Sequence, residues 1–296
     1  MGAFDDLRSR QIRFLEEAAR FGEVTALLWT DDLVRQLEGK GPRFPEAERA
    51  YVLRAIRFVR QVVRIGESKV QSLESKVEVG ALVGESKVQS LKSKVEVGMV
   101  LAVAAKAGVK PDVLVVSEDQ DAVVSSAGYE ARGIGYHVVP KRDLRGFPVQ
   151  APDPIVATAG RKRVVVTGCY DWVHSGHVRF FEEVSAYGDL YVIVGHDANI
   201  RLLKGAGHPL FPQEERRYVA GSIRYVTQAL ITSGEGWLDA DPEIRRLKPD
   251  IYAVNEDGDK GGKREYCAKL GIEYLVLRRV PAPGLPRRTS TDLRGF

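Results

Sequence analysis

Cysteine is scarce in this chain of 296 residues, and its placement argues against two kinds of site. The two cysteines, Cys169 and Cys267, form no Cys-x-x-Cys pair, which argues against structural zinc and against metal-ligating residues in general. A basic segment followed by an apolar one is missing at the N-terminus, and no apolar run is long enough to cross a bilayer. We therefore expect a reduced cytoplasmic protein without a membrane span.

A strong excess of charge is also missing. The net charge is +4 at pH 7, and no run of Lys and Arg resembles a nucleic-acid-binding patch. This argues against nucleic acid as a partner and fits a protein that handles phosphorylated small molecules. Hydrophobic residues make up 44% of the chain, which is enough for packed cores, and the length corresponds to about two domains.

An internal repeat is the most informative feature of the sequence. Gly2–Glu17 matches Gly168–Glu183 at a constant offset, 168 − 2 = 166. Shorter matches follow in the same order, and both halves close on Asp-Leu-Arg-Gly-Phe, at 143–147 and at 292–296. So many ordered matches predict two copies of one fold fused in tandem.

The predicted domains cover residues 1–150 and 160–296, joined by the proline-rich segment Pro148–Pro154. The first domain carries an insertion near 66–98, in which one segment recurs after 84 − 66 = 18 positions. The pattern of the insertion fits either a helix or a strand. We interpret it as a local duplication that forms an extra lobe or hairpin, or as a sequence artefact.

Strands and helices alternate along each copy. In the second copy, short β-branched apolar runs predict strands at 164–167, 190–194, 251–254 and 274–277, and the spacing of apolar residues predicts a helix over 176–186. Strands that alternate with helices indicate a parallel sheet. The predicted fold class is therefore α/β, with two tandem doubly wound, Rossmann-like domains.

Two histidines lie where the first of these strands meets its helix. His174 and His177 are three residues apart, so they share one face at the helix start, where unpaired N–H groups favour an anion. Gly176 between them would let a phosphate approach the backbone. The alternative is that the histidines only pack or cap the helix. The combination of both histidines with the glycine favours a phosphate clamp.

These residues resemble a known motif. Gly168–Asp171 followed by His174–His177 resembles the HxGH signature of the cytidylyltransferase-like nucleotidyltransferases. Leu203-Lys204-Gly205 is similar to the Lys-Gly loop of that family, and Arg287–Thr291 is similar to its closing RTxGISTT loop, without the Gly-Ile. The resemblance covers the second half of the chain. The tandem layout is similar to that of the ethanolamine-phosphate cytidylyltransferases.

The resemblance implies transfer of CMP or AMP from a nucleoside triphosphate to a small phosphorylated acceptor, a phospho-alcohol or a sugar phosphate, with release of pyrophosphate. His174 and His177 would donate hydrogen bonds to the triphosphate, and Lys204 would act as a mobile cation near the α-phosphate and the acceptor. Mg²⁺ would share the phosphate charge. The resemblance further implies nucleotide contacts from Gly168, Cys169, Tyr170, Asp171, Gly176, Arg287, Arg288, Thr289 and Ser290.

Several of these residues have a simpler interpretation. Lys204 could be a solvated loop lysine, Arg287 and Arg288 could be surface charge, and Asp171 could be a turn or cap residue. Asn255 and Asp257 follow a predicted strand at the edge where ligands bind in open α/β sheets, so they are candidates for base, ribose or acceptor contacts. A solvated turn is the alternative for them.

The first copy lacks the clamp. Arg8–Gln11 stands where the second copy has His174–His177, Glu38 stands in place of Lys204, and the Arg-Thr-Ser loop is deleted. We expect a degenerate copy that packs against the active one as an intramolecular pseudo-dimer, an arrangement that also allows a homodimer. The alternative function is a nucleotide-binding regulator or scaffold without turnover. The sequence leaves the nucleotide and the acceptor open.

Overall fold

The computed structural model describes residues 2–66, 104–105, 108–118, 126–148, 155–290 and 293. The predicted insertion near 66–98 lies almost wholly outside these residues. The chain divides into two compact units. Unit 1 comprises Met1–Arg54 and Phe58–Arg145, and unit 2 comprises Ala55–Arg57 and Gly146–Phe296.

Unit 2 is built on a five-stranded parallel sheet, as the sequence predicts. The strand order is β7-β6-β5-β8-β9. After the central strand β5, the chain adds β6 and β7 on one side of it and then crosses over to add β8 and β9 on the other side. Ligands bind at the carboxyl ends of the strands where the order reverses in this way. The elements are β5 (Arg163–Gly168), α5 (Ser175–Ser185), β6 (Asp189–Val194), α6 (Asp197–Lys204), α7 (Gln213–Gly221), β7 (Gln228–Ile231), α8 (Asp241–Leu247), β8 (Ile251–Asn255), α9 (Lys263–Leu270) and β9 (Glu273–Leu277).

The centre of this sheet is the core of the unit. All six residues of β6 are buried, and Val164, Val165 and Val166 of β5 are completely inaccessible to solvent. Strands buried on both faces are continuously apolar, which is why these runs predict a parallel sheet rather than a half-exposed one. Tyr191 and Leu247 complete the packing against the α8 side of the sheet. The carboxyl edge is therefore presented by a rigid scaffold.

Unit 1 keeps the α/β character but divides its sheet. Its described strands form two separate parallel pairs, β1-β2 and β3-β4. A largely apolar cavity of about 220 Å³ lies between β1 and β3. The elements are α1 (Ser9–Ala19), β1 (Val24–Trp29), α2 (Asp31–Glu38), α3 (Glu46–Ala55), β2 (Val59–Ile65), β3 (Val113–Ser117), α4 (Ala127–Glu130) and β4 (Gly135–Val139).

The division of this sheet differs from the single sheet that the sequence predicts. Gly2 forms a lone parallel bridge with Leu28, and this bridge corresponds to the last pair between β5 and β6, Gly168 with Val194. No described strand of unit 1 takes the central place that β5 has in unit 2.

A buried arginine organises the loops at the carboxyl edge of unit 2. Arg216, with 1% of its side chain exposed, donates hydrogen bonds to the carbonyl oxygens of Phe211 (2.9 Å), Cys169 (2.6 Å) and Gly195 (2.7 Å). It also pairs with the Asp197 carboxylate at 2.7 Å. One guanidinium thus joins the ends of β5 and β6 to the loop before α7, and it gives their carbonyl groups the partners that burial requires.

The same arrangement occurs in unit 1. Arg49 donates to the carbonyl oxygens of Phe44 (2.9 Å), Trp29 (2.9 Å) and Ala3, and it pairs with Asp31 at 2.7 Å. Each partner has its counterpart in unit 2 at an offset of 166 or 167, for example 31 + 166 = 197. The match extends the sequence repeat to the hydrogen bonds that hold the loops.

We expect Arg216→Ala to lower the free energy of unfolding of unit 2 by about 3–5 kcal/mol, because three carbonyl groups and a carboxylate lose a buried partner. Denaturant unfolding of the full chain measures the loss. Arg201→Ala on the exposed face of α6 is the matched control and should change the free energy by less than about 0.5 kcal/mol. Equal losses from the two variants would contradict the role of Arg216.

Candidate active site

The turn after β5 is tightly built. Tyr170 has a left-handed backbone conformation (φ 50°), and its buried ring lies against Gly168. A β-carbon on Gly168 would approach the ring to 3.0 Å, which is closer than side chains normally come. Gly168 is therefore required by Tyr170, and both shape the backbone that leads to the histidines. No nucleotide contact of either residue follows from the geometry alone.

His174 caps the N-terminus of α5. Its Nδ1 accepts a hydrogen bond from the backbone N–H of Gly176 at 3.1 Å, so in the neutral ring the proton lies on Nε2. Nε2 is buried and has no hydrogen-bond partner among the described residues. Buried polar atoms are seldom left unpaired in proteins. An acceptor group on a ligand would supply the missing partner.

His177 lies beside His174. The centroids of the two imidazole rings are 4.0 Å apart, with 30° between their planes, and the ring of Tyr170 packs edge-on against His177 at 5.4 Å. Nδ1 of His177 is likewise buried and without a hydrogen-bond partner in the described part of the chain. The sequence prediction that both imidazoles share one face at the helix start is borne out by this geometry.

Both imidazoles are held neutral. Burial is the main cause that lowers the pKa of His174 far below its ordinary value, and the neighbouring His177 and Arg279 add to it. Burial followed by the charge of Arg279 lowers the pKa of His177 to about 3. A hydrogen bond with the backbone of Trp172 acts in the opposite direction and raises the pKa of His177 in part. At neutral pH both rings are therefore uncharged, and His174 offers its Nε2–H as a donor.

Gly176 is surrounded on two sides. A β-carbon there would lie 2.9 Å from Cε1 of His174 and 3.2 Å from the backbone oxygen of Arg288. A side chain would therefore push the His174 ring or the Arg288 backbone away. The sequence suggested that Gly176 leaves room for a phosphate. The structure shows that the space of a side chain is taken by the His174 ring and the Arg288 backbone, while Gly176 still lines the adjacent cavity.

Arg279 forms the opposite wall of the site. Its guanidinium pairs with the Asp257 carboxylate and donates to the backbone oxygen of Arg288 at 3.1 Å. The residues that line the adjacent cavity include Gly176, Arg279 and Arg288, together with Asn255 and Arg287. The structure thus brings Asn255, Asp257, Arg287 and Arg288 to the side of the histidines, as the sequence suggested for the carboxyl edge.

Sequence reasoning missed Arg279. The signal was present, because the residue lies two positions after β9 ends, at the carboxyl edge of a parallel sheet where ligand-binding residues collect. The sequence motif points only to Arg287 and Arg288 as the arginines of the closing loop. Of the three, Arg279 is the one whose charge lowers the pKa of both histidines.

Lys204 lies further out. It is the last residue of α6, it is exposed, and Gly205 and Gly207 with positive φ follow it. It makes no described contact with the histidines. Its charge nevertheless acts at the site, since it lowers the pKa of His177 and offsets part of the burial that raises the pKa of Cys169. At the end of a helix and before two glycines, the Lys204 side chain can reach a ligand by changing rotamers.

Asp171 has a structural task. It is 4% exposed, and its carboxylate accepts hydrogen bonds from the backbone N–H groups of Leu210 (2.7 Å) and Phe211 (3.0 Å). It therefore fixes the loop after Lys204 to the turn after β5. The alternative that the sequence left open for Asp171 was a turn or cap residue. These hydrogen bonds of its carboxylate are structural, but they run to backbone groups 39 and 40 residues away. Asp5 does the same for Arg43 and Phe44 in unit 1.

The end of the site is formed by the segment after β9. Thr289 and Ser290 are partly buried, and the backbone N–H of Leu293 donates to the oxygen of Thr289 at 3.3 Å. Leu293 is 1% exposed, so it anchors this segment in the core. The segment is thereby held beside Gly176 through Arg288.

Among the described residues, no group of three or more His, Cys, Asp and Glu side chains could hold a metal ion. Both cysteines are free thiols. Cys169 is partly buried after β5, and Cys267 is buried in α9. In the described part of the chain, no helix is long and apolar enough to cross a membrane.

Known proteins resemble part of this chain in sequence. A family model described as cytidylyltransferase-like matches residues 165–277. The FAD synthase of Ferroglobus placidus is 38% identical over 120 residues, which are 40% of this chain and 75% of that protein. The FAD synthase of Pyrococcus horikoshii is 44% identical over 120 residues, which are 39% of this chain and 78% of that protein. The bifunctional protein HldE of Aliarcobacter butzleri is 32% identical over 122 residues, 41% of this chain and 25% of that protein.

All of these matches lie on a domain-sized part of the chain, and the family model begins in β5 and ends with β9. The matched part contains the histidine pair, Lys204 and the strands that position them. The chain is 38% and 44% identical to the two FAD synthases over about three quarters of their length, which is enough to show common family membership. The chain belongs to the cytidylyltransferase-like family of nucleotidyltransferases.

Proposed function

We propose that unit 2 transfers AMP from ATP to the phosphate of flavin mononucleotide, with release of pyrophosphate. The observation that carries the transfer is the pair of neutral imidazoles at the start of α5, with buried ring nitrogens that lack partners. The choice of ATP and of a flavin rests on the names of the two FAD synthases, because FAD is flavin mononucleotide joined to AMP. CMP transfer to a phospho-alcohol or a sugar phosphate is the other specificity within the same reaction.

The chemistry needs little beyond positioning and charge stabilisation. An oxygen of the acceptor phosphate, already ionised, forms the new bond to the α-phosphorus. The bond from that phosphorus to the bridging oxygen breaks, and pyrophosphate leaves with the electron pair. His174 and His177 donate hydrogen bonds to the phosphate oxygens as negative charge grows on them. Lys204 reaches the α-phosphate and the acceptor from its loop.

Arginines hold the far end of the triphosphate in this proposal. Arg288, with Thr289 and Ser290, would contact the β- and γ-phosphates, and Arg287 would add charge at the rim. Arg279 has its two terminal nitrogens engaged by Asp257 and by the backbone of Arg288. It would therefore act mainly by holding those groups and by keeping the histidines neutral.

Mg²⁺ would enter with the nucleotide. The described residues form no protein cage for a cation, so a resident metal does not fit this site. Mg²⁺ is usually held by substrate phosphates and water with one or two carboxylates, which is compatible with an ion carried by the triphosphate. We derive no step of the reaction from it. A cytoplasmic location, where nucleotide and acceptor are made, belongs to the same proposal.

Unit 1 is proposed to be a degenerate copy without transfer activity. Arg8 and Gln11 stand where the second copy has the histidines. At the start of α1 the Gln11 side-chain oxygen accepts a hydrogen bond from the backbone N–H of Arg8 at 3.1 Å, and the Arg8 guanidinium pairs with Asp6 at 2.9 Å. The residues at the clamp positions are thus engaged in local structure. The pseudo-dimer of the two units remains part of this proposal.

A nucleotide-binding regulator without turnover is the second candidate. One observation favours it, namely that the closing loop lacks the Gly-Ile of the family motif. In that case the site would bind ATP or CTP but release no pyrophosphate from any acceptor.

His177→Ala should reduce turnover by about 10²–10³-fold, the usual effect of removing one donor to a transition-state oxyanion. Gln11→Ala, the matched change in unit 1, should leave turnover within about twofold because it lies outside the proposed site. Steady-state pyrophosphate release measures both. Equal losses from the two variants would contradict the assignment of one active and one degenerate copy.

The pH profile tests the neutral imidazoles. A pKa lowered in the folded protein means that protonation occurs only below the ordinary value of about 6.5. The profile of kcat/KM reports ionisations of the free enzyme and of the free substrates. Between about pH 5.5 and 8 it should show only the titration of the substrate phosphates, whose second pKa is about 6, and it should have the same shape in the wild type and in His177→Gln. A fall in kcat/KM centred near 6.5 that disappears in His177→Gln would show that an ordinary titrating histidine is used instead.

Specificity is tested with ATP and CTP, each offered with flavin mononucleotide, glycerol 3-phosphate and a sugar 1-phosphate. We expect pyrophosphate release with ATP and flavin mononucleotide, and FAD as the second product on chromatography. Release with CTP and glycerol 3-phosphate would redirect the proposal to cytidylyl transfer. Nucleotide binding by calorimetry without release in any combination would favour the regulator.

A further inference from the structure

Arg179 is held in a fixed position next to the site. It lies on α5, two residues after His177, and its guanidinium pairs with Glu182 at 2.9 Å and with Glu183 at 2.7 Å. Only 29% of the side chain is exposed. Two carboxylates on the same helix restrict the rotamers of the arginine. Arg179 is therefore a rigid part of the wall rather than a mobile surface charge.

This wall faces the closing segment of unit 2, Arg287–Ser290. Arg179 and Glu183 line the same cavity as Gly176, Arg287 and Arg288. The arginine thus lies on the side of α5 along which the Arg287–Ser290 segment runs, and the backbone oxygen of Arg288 lies near Gly176 on the same helix. A direct contact with the triphosphate does not follow, because the two glutamates already neutralise the arginine.

Unit 1 contains the same arrangement of one arginine paired with two glutamates. Arg13 pairs with Glu16 at 2.9 Å and with Glu17 at 2.7 Å, and each residue corresponds to its counterpart in unit 2 at the offset 179 − 13 = 166. Arg13 makes one more bond, from Nη2 to the backbone oxygen of Asp143 at 3.2 Å. Asp143 is the first residue of the Asp-Leu-Arg-Gly-Phe sequence that closes the first half of the chain.

The function of this arrangement in unit 1 is visible in its packing. Leu144, the second residue of that sequence, is 4% exposed, so the arginine and the leucine together fasten the closing segment. In unit 2 the corresponding leucine is Leu293, which is 1% exposed and whose N–H bonds to the oxygen of Thr289. In unit 2 the segment that Leu293 anchors includes Arg287–Ser290.

We propose that Arg179 is a positioning residue that fastens the closing segment of unit 2 and thereby places Arg288, Thr289 and Ser290 for the triphosphate. The proposal rests on the proposed function only for the identity of the ligand. Arg13 performs the same fastening in unit 1, where no clamp residues remain, so it serves as a natural control. Arg179 acts through the segment and does not itself contact the reacting atoms.

The test measures ATP affinity of the full chain by calorimetry, and kcat and KM by pyrophosphate release. Arg179→Ala should weaken ATP binding by roughly tenfold or more and raise KM with a smaller change in kcat, because the phosphate-holding groups are displaced before chemistry begins. Arg179→Lys should restore part of the affinity, since a lysine keeps the charge but not the planar fork. Arg13→Ala should cost similar stability and leave ATP affinity unchanged.

A double-mutant cycle with Leu293→Ala distinguishes fastening from a general loss of stability. If both residues hold one segment, the effects of Arg179→Ala and Leu293→Ala on ATP affinity will not add, and the double variant will bind about as weakly as the weaker single variant. Additive effects would overturn the proposal, as would unchanged ATP affinity in Arg179→Ala with only a loss of stability.

The readout separates this inference from the proposed function. Failure of the proposed function would appear as absent turnover in the wild type with every acceptor, while ATP affinity can still be compared between variants. If instead Arg179 does not position the segment, Arg179→Ala will have wild-type ATP affinity while His177→Ala still reduces turnover by about 10²–10³-fold.

Discussion

The carboxyl edge of unit 2 depends on one buried guanidinium. Arg216 binds the carbonyl oxygens at the ends of β5 and β6 and that of the loop before α7, and it pairs with Asp197 at the start of α6. The histidines follow β5 directly and Lys204 ends α6, so both are placed by elements that meet at this side chain. A buried charge is tolerable here because every part of the guanidinium has an acceptor. The site is therefore assembled by the fold's own hydrogen bonds before a ligand arrives.

On this frame, burial decides the chemical character of the clamp. An imidazole that could be protonated near neutral pH would carry a charge that rises and falls with conditions. Burial and the nearby Arg279 remove that freedom from His174 and His177. Under the proposed function, the positive charge for phosphate would come from Lys204 and the arginines, so donation and charge would be divided between two groups of residues. The division suits a reaction in which negative charge moves between oxygens while the total charge stays constant.

Much of unit 2 could be predicted from the sequence, because its signals are local. The valines of β5 and the alternation of strands and helices predict the sheet, and the spacing of His174, Gly176 and His177 predicts a shared face at a helix start. The role of Asp171 could not be settled in this way, since its partners Leu210 and Phe211 lie about forty residues away. Arg279 could have been found from its place two residues after β9, but its bonds to Asp257 and to the backbone of Arg288 are seen only in the folded chain. The divided sheet of unit 1 was also missed, because a repeat in sequence does not say whether every strand of the pattern is present.

The position of the closing segment has a consequence for how the protein is made. The strands of unit 2 are complete once the chain has been synthesised to Leu277, whereas Arg287–Ser290 and the anchor Leu293 emerge only afterwards. On the ribosome, the sheet and the histidine pair can therefore form while the wall opposite Gly176 is still missing. Under the proposed function, a nascent chain would form its sheet and histidine pair first and would gain the wall that holds the triphosphate only after Arg287–Ser290 has been added.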